Sequence, residues 1–231
     1  MSTIADRAIV LTLAALAMSL AGCAEPGVRG ETPRGESQST TDRAMHLDLI
    51  RRMLDQQQYF AALAHIQQQQ VSGRNTDELR YFEAEARREL GQFTAAEALY
   101  RGLLHGRLAA KAYHGLGLLY ASRDMNMAIA NLREATRRNP TDAASRSDLG
   151  YALLKARRYS EAQPELATAV ELDPGSDKAR NNLLLLLMVK GDETGVRRMV
   201  AAAAIAPETV SRLRRDAQAM QARTPGPGVK R

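Results

Sequence analysis

A pattern of small and apolar residues recurs along this chain at intervals of about 34 residues, and it restricts the possible folds more than any other feature. The clearest unit spans residues 143–176 and the unit before it spans residues 110–142. Pro140 and Pro174 close the two units and lie 34 residues apart. Small, aliphatic or aromatic residues occupy matching positions after one deletion near Asp124, namely Leu149, Gly150, Leu153, Ala162, Leu166 and Ala169 in one unit and Leu116, Gly117, Tyr120, Ala128, Leu132 and Ala135 in the other.

This spacing resembles that of the tetratricopeptide repeat (TPR). In that family each unit is a pair of antiparallel helices that meet at small residues, and a proline ends the second helix. The resemblance implies an all-α solenoid of TPR helical hairpins within residues 43–223. About five repeats are expected, although Ile50 replaces a small residue in the first unit, and they cover residues 43–76, 77–109, 110–142, 143–176 and 177–208. Apolar residues at helical spacing predict a C-terminal capping helix over residues 209–222.

The composition favours helices and excludes several kinds of site. Aromatic residues make up 4% of the chain and tryptophan is absent, which favours helices packed by small and aliphatic side chains over a β-sandwich. The single cysteine, Cys23, excludes an intramolecular disulfide and a cysteine-based zinc site. No catalytic or nucleotide-binding motif is present, and no histidine has a second ligand three or four residues further on. We expect no catalytic residues, no cofactor and no bound metal.

The basic character of the chain does not indicate a nucleic-acid partner. The formal net charge is +6 at neutral pH, but adjacent arginine pairs recur from Arg51 to Arg215 instead of forming one block. We interpret these pairs mainly as solvated helix faces.

The amino terminus carries an export signal. Residues 8–21 form an uncharged apolar run that is shorter than the ~20 residues a helix needs to cross a bilayer, so residues 1–22 are predicted to be a signal peptide. The run ends in Leu20, Ala21, Gly22 and Cys23, which resemble the lipobox of bacterial lipoproteins. The resemblance implies that the signal peptidase recognises the first three residues and that Cys23 carries the lipid anchor. Under the lipoprotein sorting rule, Ala24 implies the periplasmic face of the outer membrane.

Two segments outside the repeats have few apolar side chains that a core could bury. Residues 23–42 combine proline, glycine, serine, threonine and charge, and this composition predicts a flexible lipidated tether. Residues 224–231 contain two Pro-Gly steps and predict a disordered tail.

The TPR resemblance also implies a concave groove lined by the first helix of each repeat. Carrying the groove-facing positions of the family onto this chain gives a mixture of aromatic, aliphatic and charged residues. This mixture fits an amphipathic helix or an extended peptide of acidic character. The predicted groove residues are Arg51, Tyr81, Glu85, Arg88, Lys111, His114, Leu118, Tyr151, Lys178, Asn181, Leu185 and Met188.

A short lipoprotein of this kind resembles the assembly lipoproteins of pili, and most closely the TadD-like lipoproteins of the tight adherence (Flp) pilus. The resemblance rests on the lipobox, the tether and the C-terminal segments 190–192 and 206–210. It implies a pilotin-like role in which the protein binds an outer-membrane secretin subunit and assists its targeting and assembly. Two alternatives stay open, a type IVa pilus secretin pilotin and a periplasmic adaptor that scaffolds peptidoglycan hydrolases or proteases. The oligomeric state also stays open.

Overall fold

The computed structural model of this protein describes residues 34–222, with side chains from residue 41. The chain divides into two units, Met1–Thr40 and Thr41–Arg231, and only the start of one helix is described in the first. The described residues form helices joined by short turns, which confirms the all-α prediction. The helices are α1 (Arg34–Asp55), α2 (Tyr59–Val71), α3 (Asp77–Glu89), α4 (Phe93–Gly102), α5 (Ala109–Tyr120), α6 (Met125–Arg138), α7 (Ala143–Lys155), α8 (Tyr159–Leu172), α9 (Asp177–Lys190), α10 (Glu193–Ala202) and α11 (Pro207–Ala222).

The helices from α1 to α10 follow one another as five pairs, as the TPR resemblance implies. The helices of the second, third and fourth pairs pack on each other, and each second helix also packs on the first helix of the next pair. The predicted signal peptide, the lipobox and the C-terminal tail lie outside the described residues. Within residues 34–222, no helix is both long enough and apolar enough to cross a membrane.

The first helix begins earlier than the sequence suggests. Residues 34–42, assigned above to the tether, belong to α1. Pro33 is the last proline before Pro140, so no proline interrupts a helix that starts directly after it.

Polar side chains fix where half of the other ten described helices start. The residue before each of these helices accepts a hydrogen bond from a backbone N–H of the first turn through its side chain. These residues are Thr76 before α3, Asp124 before α6, Asp142 before α7, Ser176 before α9 and Asp192 before α10.

The turns inside the pairs share one backbone feature. A residue with positive φ follows the first helix in four of the five pairs, and its left-handed conformation closes the turn. These residues are Gln57, Gly91, Arg157 and Gly191.

Glycines in the first helices allow the paired helices to approach closely. A Cβ added at Gly117 would lie 2.5 Å from the Leu132 Cγ, and one added at Gly150 would lie 2.5 Å from the Leu166 Cγ. Both leucines are buried. The small positions of the repeat therefore accommodate a leucine of the partner helix, which explains why the third and fourth units match the pattern best.

The last pair departs from the others. Helix α11 packs against α9, and its Leu213 and Ala217 are buried in the same core as Leu184 and Leu186. In α10 the buried residues are Gly195 and Val196 alone. The C-terminal helix thus covers α9 as predicted for a cap, while α10 remains more exposed than α6 or α8.

We expect Gly150→Ala to lower the free energy of unfolding by about 1–3 kcal/mol, because the new methyl group overlaps Leu166. The cost of this overlap exceeds the ~1 kcal/mol by which alanine stabilises a helix relative to glycine. Gly102→Ala is the matched control, since a Cβ at Gly102 would meet nothing within 4 Å. Urea unfolding of both variants measures the difference, and a Gly150→Ala protein as stable as Gly102→Ala would contradict the close-approach account.

Candidate functional site

A cavity of about 300 Å³ lies between the first helices α1, α3 and α5. Four of the predicted groove residues line it, although they are up to 60 residues apart in the sequence. We call it the α1/α3/α5 cavity. Its lining residues are Arg51, Leu54, Asp55, Tyr59, Tyr81, Phe82, Glu85, Glu89 and Lys111.

Two aromatic rings and two cations shape this cavity. The Tyr81 and Phe82 rings have centroids 5.8 Å apart. The Arg51 guanidinium lies 5.8 Å from the centroid of the Phe82 ring, and the Lys111 ammonium lies 5.8 Å from that of Tyr81. Both distances are within the range of a cation–π interaction. Because the Arg51 side chain is 59% exposed and Lys111 is also exposed, both cations can reach a bound partner.

The carboxylate of Glu85 is fixed on the wall of the cavity. The Tyr100 hydroxyl donates to Glu85 Oε1 at 2.5 Å, and Arg88 donates to Oε2 at 3.1 Å. Burial and the neighbouring Glu85 raise the pKa of the Tyr100 phenol, so this group stays protonated and donates. A Cβ at Gly115 would lie 2.4 Å from the Tyr100 ring. The Tyr100 ring therefore occupies space that only a glycine in α5 leaves free.

Arg88 serves the structure of α3. Its guanidinium pairs with both Glu85 and Glu89, and its side chain is mostly buried. The predicted groove residue Arg88 therefore offsets one of the two carboxylate charges on the cavity wall, and it is engaged before any partner arrives.

A second charged cluster joins three first helices. Asp148 in α7 lies 2.8 Å from His114 Nε2 in α5 and 2.5 Å from Lys178 Nζ in α9. Beside it, Asn182 donates to the Ser147 hydroxyl at 3.0 Å. The structure thus brings the predicted groove residues His114 and Lys178 together through a carboxylate.

Asp148 was not among the predicted groove residues. Burial alone would raise the pKa of its carboxyl, but the hydrogen bonds and charges of His114 and Lys178 outweigh that effect and lower the pKa. One feature of the sequence could have identified Asp148: it is an acidic residue directly before Leu149 and Gly150, where two helices meet closely. A carboxylate buried at such a contact needs a hydrogen-bond or charge partner.

The remaining predicted groove residues lie elsewhere. Leu118 and Asn181 are half-buried, and Tyr151 is 37% exposed. Leu185 and Met188 are buried in the core beneath α11, so they do not face an open groove. The physical reason is that the capping helix covers this side of α9.

No group of three or more histidine, cysteine or acidic side chains is placed to hold a metal within the described part of the chain. His46 and His65 form a pair across α1 and α2, with His46 Nδ1 3.1 Å from His65 Nε2.

Comparisons with known proteins agree with the fold. A model of the tetratricopeptide repeat family matches residues 119–187. The TPR repeat-containing protein PA4299 of Pseudomonas aeruginosa is 36% identical over 184 residues, which cover 78% of this chain and 73% of that protein.

Solved structures are similar at lower identity. The thermophilic TPR protein TTC0263 of Thermus thermophilus is 19% identical, with a TM-score of 0.56 over 77% of this chain and 97% of that one. A MamA chain from Desulfovibrio magneticus is 19% identical, with a TM-score of 0.55 over 73% of this chain and 94% of that one. At these identities the likeness concerns the fold alone.

We expect Asp148→Ala to lower the free energy of unfolding by about 2 kcal/mol at neutral pH, because it removes the acceptor that His114 and Lys178 share. The pKa of Asp148 is lowered in the folded protein, so its contribution is present above the ordinary carboxyl pKa of 3.8 and is lost as the pH falls through the folded value. Urea unfolding should therefore show a smaller difference from wild type at about pH 3 than at pH 7.

Lys178→Ala is the matched control for this prediction. The Lys178 side chain is 60% exposed, so its removal should cost less than about 1 kcal/mol. Equal losses for the two variants, or an Asp148→Ala difference that grows toward low pH, would contradict the assigned role of the carboxylate.

Proposed function

Because this chain belongs to the tetratricopeptide-repeat family, we propose that it is a non-enzymatic scaffold that binds a protein partner at the α1/α3/α5 cavity. The observation that carries the proposal is the convergence of Arg51, Tyr81 and Lys111 from three helices on this one cavity. These side chains offer an apolar floor and accessible charge, which are the features that anchor a peptide segment in a groove.

The cations beside the aromatic rings favour an acidic partner segment. The lining carboxylates are those of Asp55, Glu85 and Glu89, and the single Arg88 guanidinium offsets one of these three charges. The lining charges therefore balance as a whole, and the preference rests on the position of Arg51 and Lys111 over the Phe82 and Tyr81 rings. The matching segment places an aromatic or aliphatic side chain on the Tyr81 and Phe82 rings. A carboxylate on either side of that side chain then lies beside the exposed cations. An amphipathic helix or an extended peptide satisfies this description.

The membrane address and the identity of the partner form the second part of the proposal. A lipid on Cys23 anchors the protein at the periplasmic face of the outer membrane, as the lipobox and Ala24 suggest. The partner is a secretin subunit of the tight adherence (Flp) pilus, and the protein acts as a pilotin-like factor in its targeting and assembly. The resemblance to TadD-like lipoproteins supports this identity.

Photocrosslinking in the native cell tests the proposal. With a crosslinking amino acid in place of Lys111, we expect mass spectrometry to identify a secretin subunit in the captured product. The same amino acid in place of the exposed Arg215 of α11 is the control site and should not capture it. Capture of a type IVa pilus secretin, a peptidoglycan hydrolase or a protease from the Lys111 site would instead favour one of the alternatives.

Two sets of variants separate binding from anchoring. Arg51→Glu with Lys111→Glu should weaken affinity for the captured subunit at least about tenfold, whereas Arg52→Glu with Arg215→Glu makes the same charge change away from the cavity and should not. Cys23→Ala should keep this affinity but no longer fractionate with the outer membrane. An unchanged affinity of the cavity double variant would contradict the proposed binding surface.

A further inference from the structure

A second groove lies between α8 and α10, on the side of α9 opposite to Leu185. Successive helical residues are rotated by about 100°, which places Leu187 roughly 160° from Leu185 around the helix axis. The groove has a volume of about 440 Å³, and we call it the α8/α10 groove. Its apolar lining residues are Ala167, Val170, Leu183, Leu187, Met199 and Ala202, its polar ones are Gln163, Asp192 and Arg198, and Gly195 completes the lining.

The groove is open because α10 packs loosely on the rest of the molecule. Helix α8 buries Ala162, Leu166 and Ala169, whereas α10 buries only Gly195 and Val196. The apolar side chains on its floor, including Leu183, Leu187 and Met199, consequently remain half-buried. These side chains pack against the buried core on one side and line the open groove on the other.

The edge of the groove carries a cation, Arg198, that has no ion-pair partner within residues 41–222. Arg198 is exposed, and within residues 41–222 no hydrogen bond or ion pair involves its guanidinium. Lys190 lies nearby, where its ammonium donates to Gln163 Oε1 at 2.5 Å. The lining carboxylate, Asp192, keeps its charge but is directed at the first turn of α10, where it accepts from the Gly195 N–H at 2.8 Å. A partner with a carboxylate at this edge would therefore gain a charge pair.

We propose that the α8/α10 groove docks an amphipathic helix of a second protein, with an acidic residue beside its apolar stripe. The lining residues of α8 run from Gln163 to Val170, about 10 Å along the helix axis, which is the length of a two-turn apolar stripe. A helix satisfies its own backbone hydrogen bonds, and the groove offers side chains instead of backbone donors and acceptors. The protein can then hold two partners at once, one in each site.

A phage-displayed library of helical peptides with randomised surface positions tests this proposal on the purified chain. We expect the enriched peptides to carry apolar residues at helical spacing with an adjacent Asp or Glu. Their affinity should fall at least about tenfold in Arg198→Glu and in Met199→Gln. Arg197→Glu is the matched control, since Arg197 is the exposed neighbour of Arg198 and does not line the groove, and its affinity should stay at the wild-type value.

Several outcomes would overturn the proposal. If the enriched peptides lose affinity for the Arg51→Glu, Lys111→Glu variant but not for Arg198→Glu, they bind at the α1/α3/α5 cavity and not in the α8/α10 groove. Sedimentation that shows a dimer weakened by Arg198→Glu would make a second copy the occupant. Binding to vesicles of phosphatidylglycerol that is lost in Arg198→Glu would make it a lipid. Absence of enriched peptides would also contradict the inference. None of these results depends on whether the cavity binds a secretin.

Discussion

The arrangement of this molecule depends on the close approach of paired helices at small residues. Gly117 and Gly150 leave room for Leu132 and Leu166, and Gly115 leaves room for the Tyr100 ring. These contacts hold the first helices α5 and α7 against second helices, and the same stacking of pairs brings the faces of successive first helices together. The α1/α3/α5 cavity follows from this arrangement, because its residues come from three repeats and no single repeat could form it.

Charged side chains on the first helices divide into two groups with different roles. Asp148 ties α5, α7 and α9 together, and the pairing of Arg88 with Glu85 holds the wall of the cavity. These buried charges are compensated within the protein and cannot be given up at low cost. The exposed cations of the cavity on the first helices, and Arg198 on the second helix α10, are the ones available to partners, which is why acidic segments are proposed for both sites.

The repeat pattern predicted the helical hairpins because its residues pack within one unit or against the next. It also selected Arg51, Tyr81, Glu85 and Lys111, which the structure places around one cavity. It could not anticipate the burial of Leu185 and Met188, since that depends on where α11 packs. The internal use of Asp148 likewise follows from contacts with the distant residues His114 and Lys178, which spacing alone does not encode. Arg88 pairs with Glu85 and Glu89 of its own helix, and the groove-facing positions of the repeat do not take such local pairs into account. The α8/α10 groove results from the loose packing of α10, for which the sequence carried no clear signal.

Hydrogen exchange measured with and without the captured partner tests the central claim most directly. The account predicts slower amide exchange in α1, α3 and α5 on binding, because a segment held at the α1/α3/α5 cavity opposes local opening of the helices that form it. The exchange of α2, α4 and α6 should change less. Protection confined to those second helices or to α11, with α1, α3 and α5 unchanged, would contradict the assignment of the cavity as the binding site.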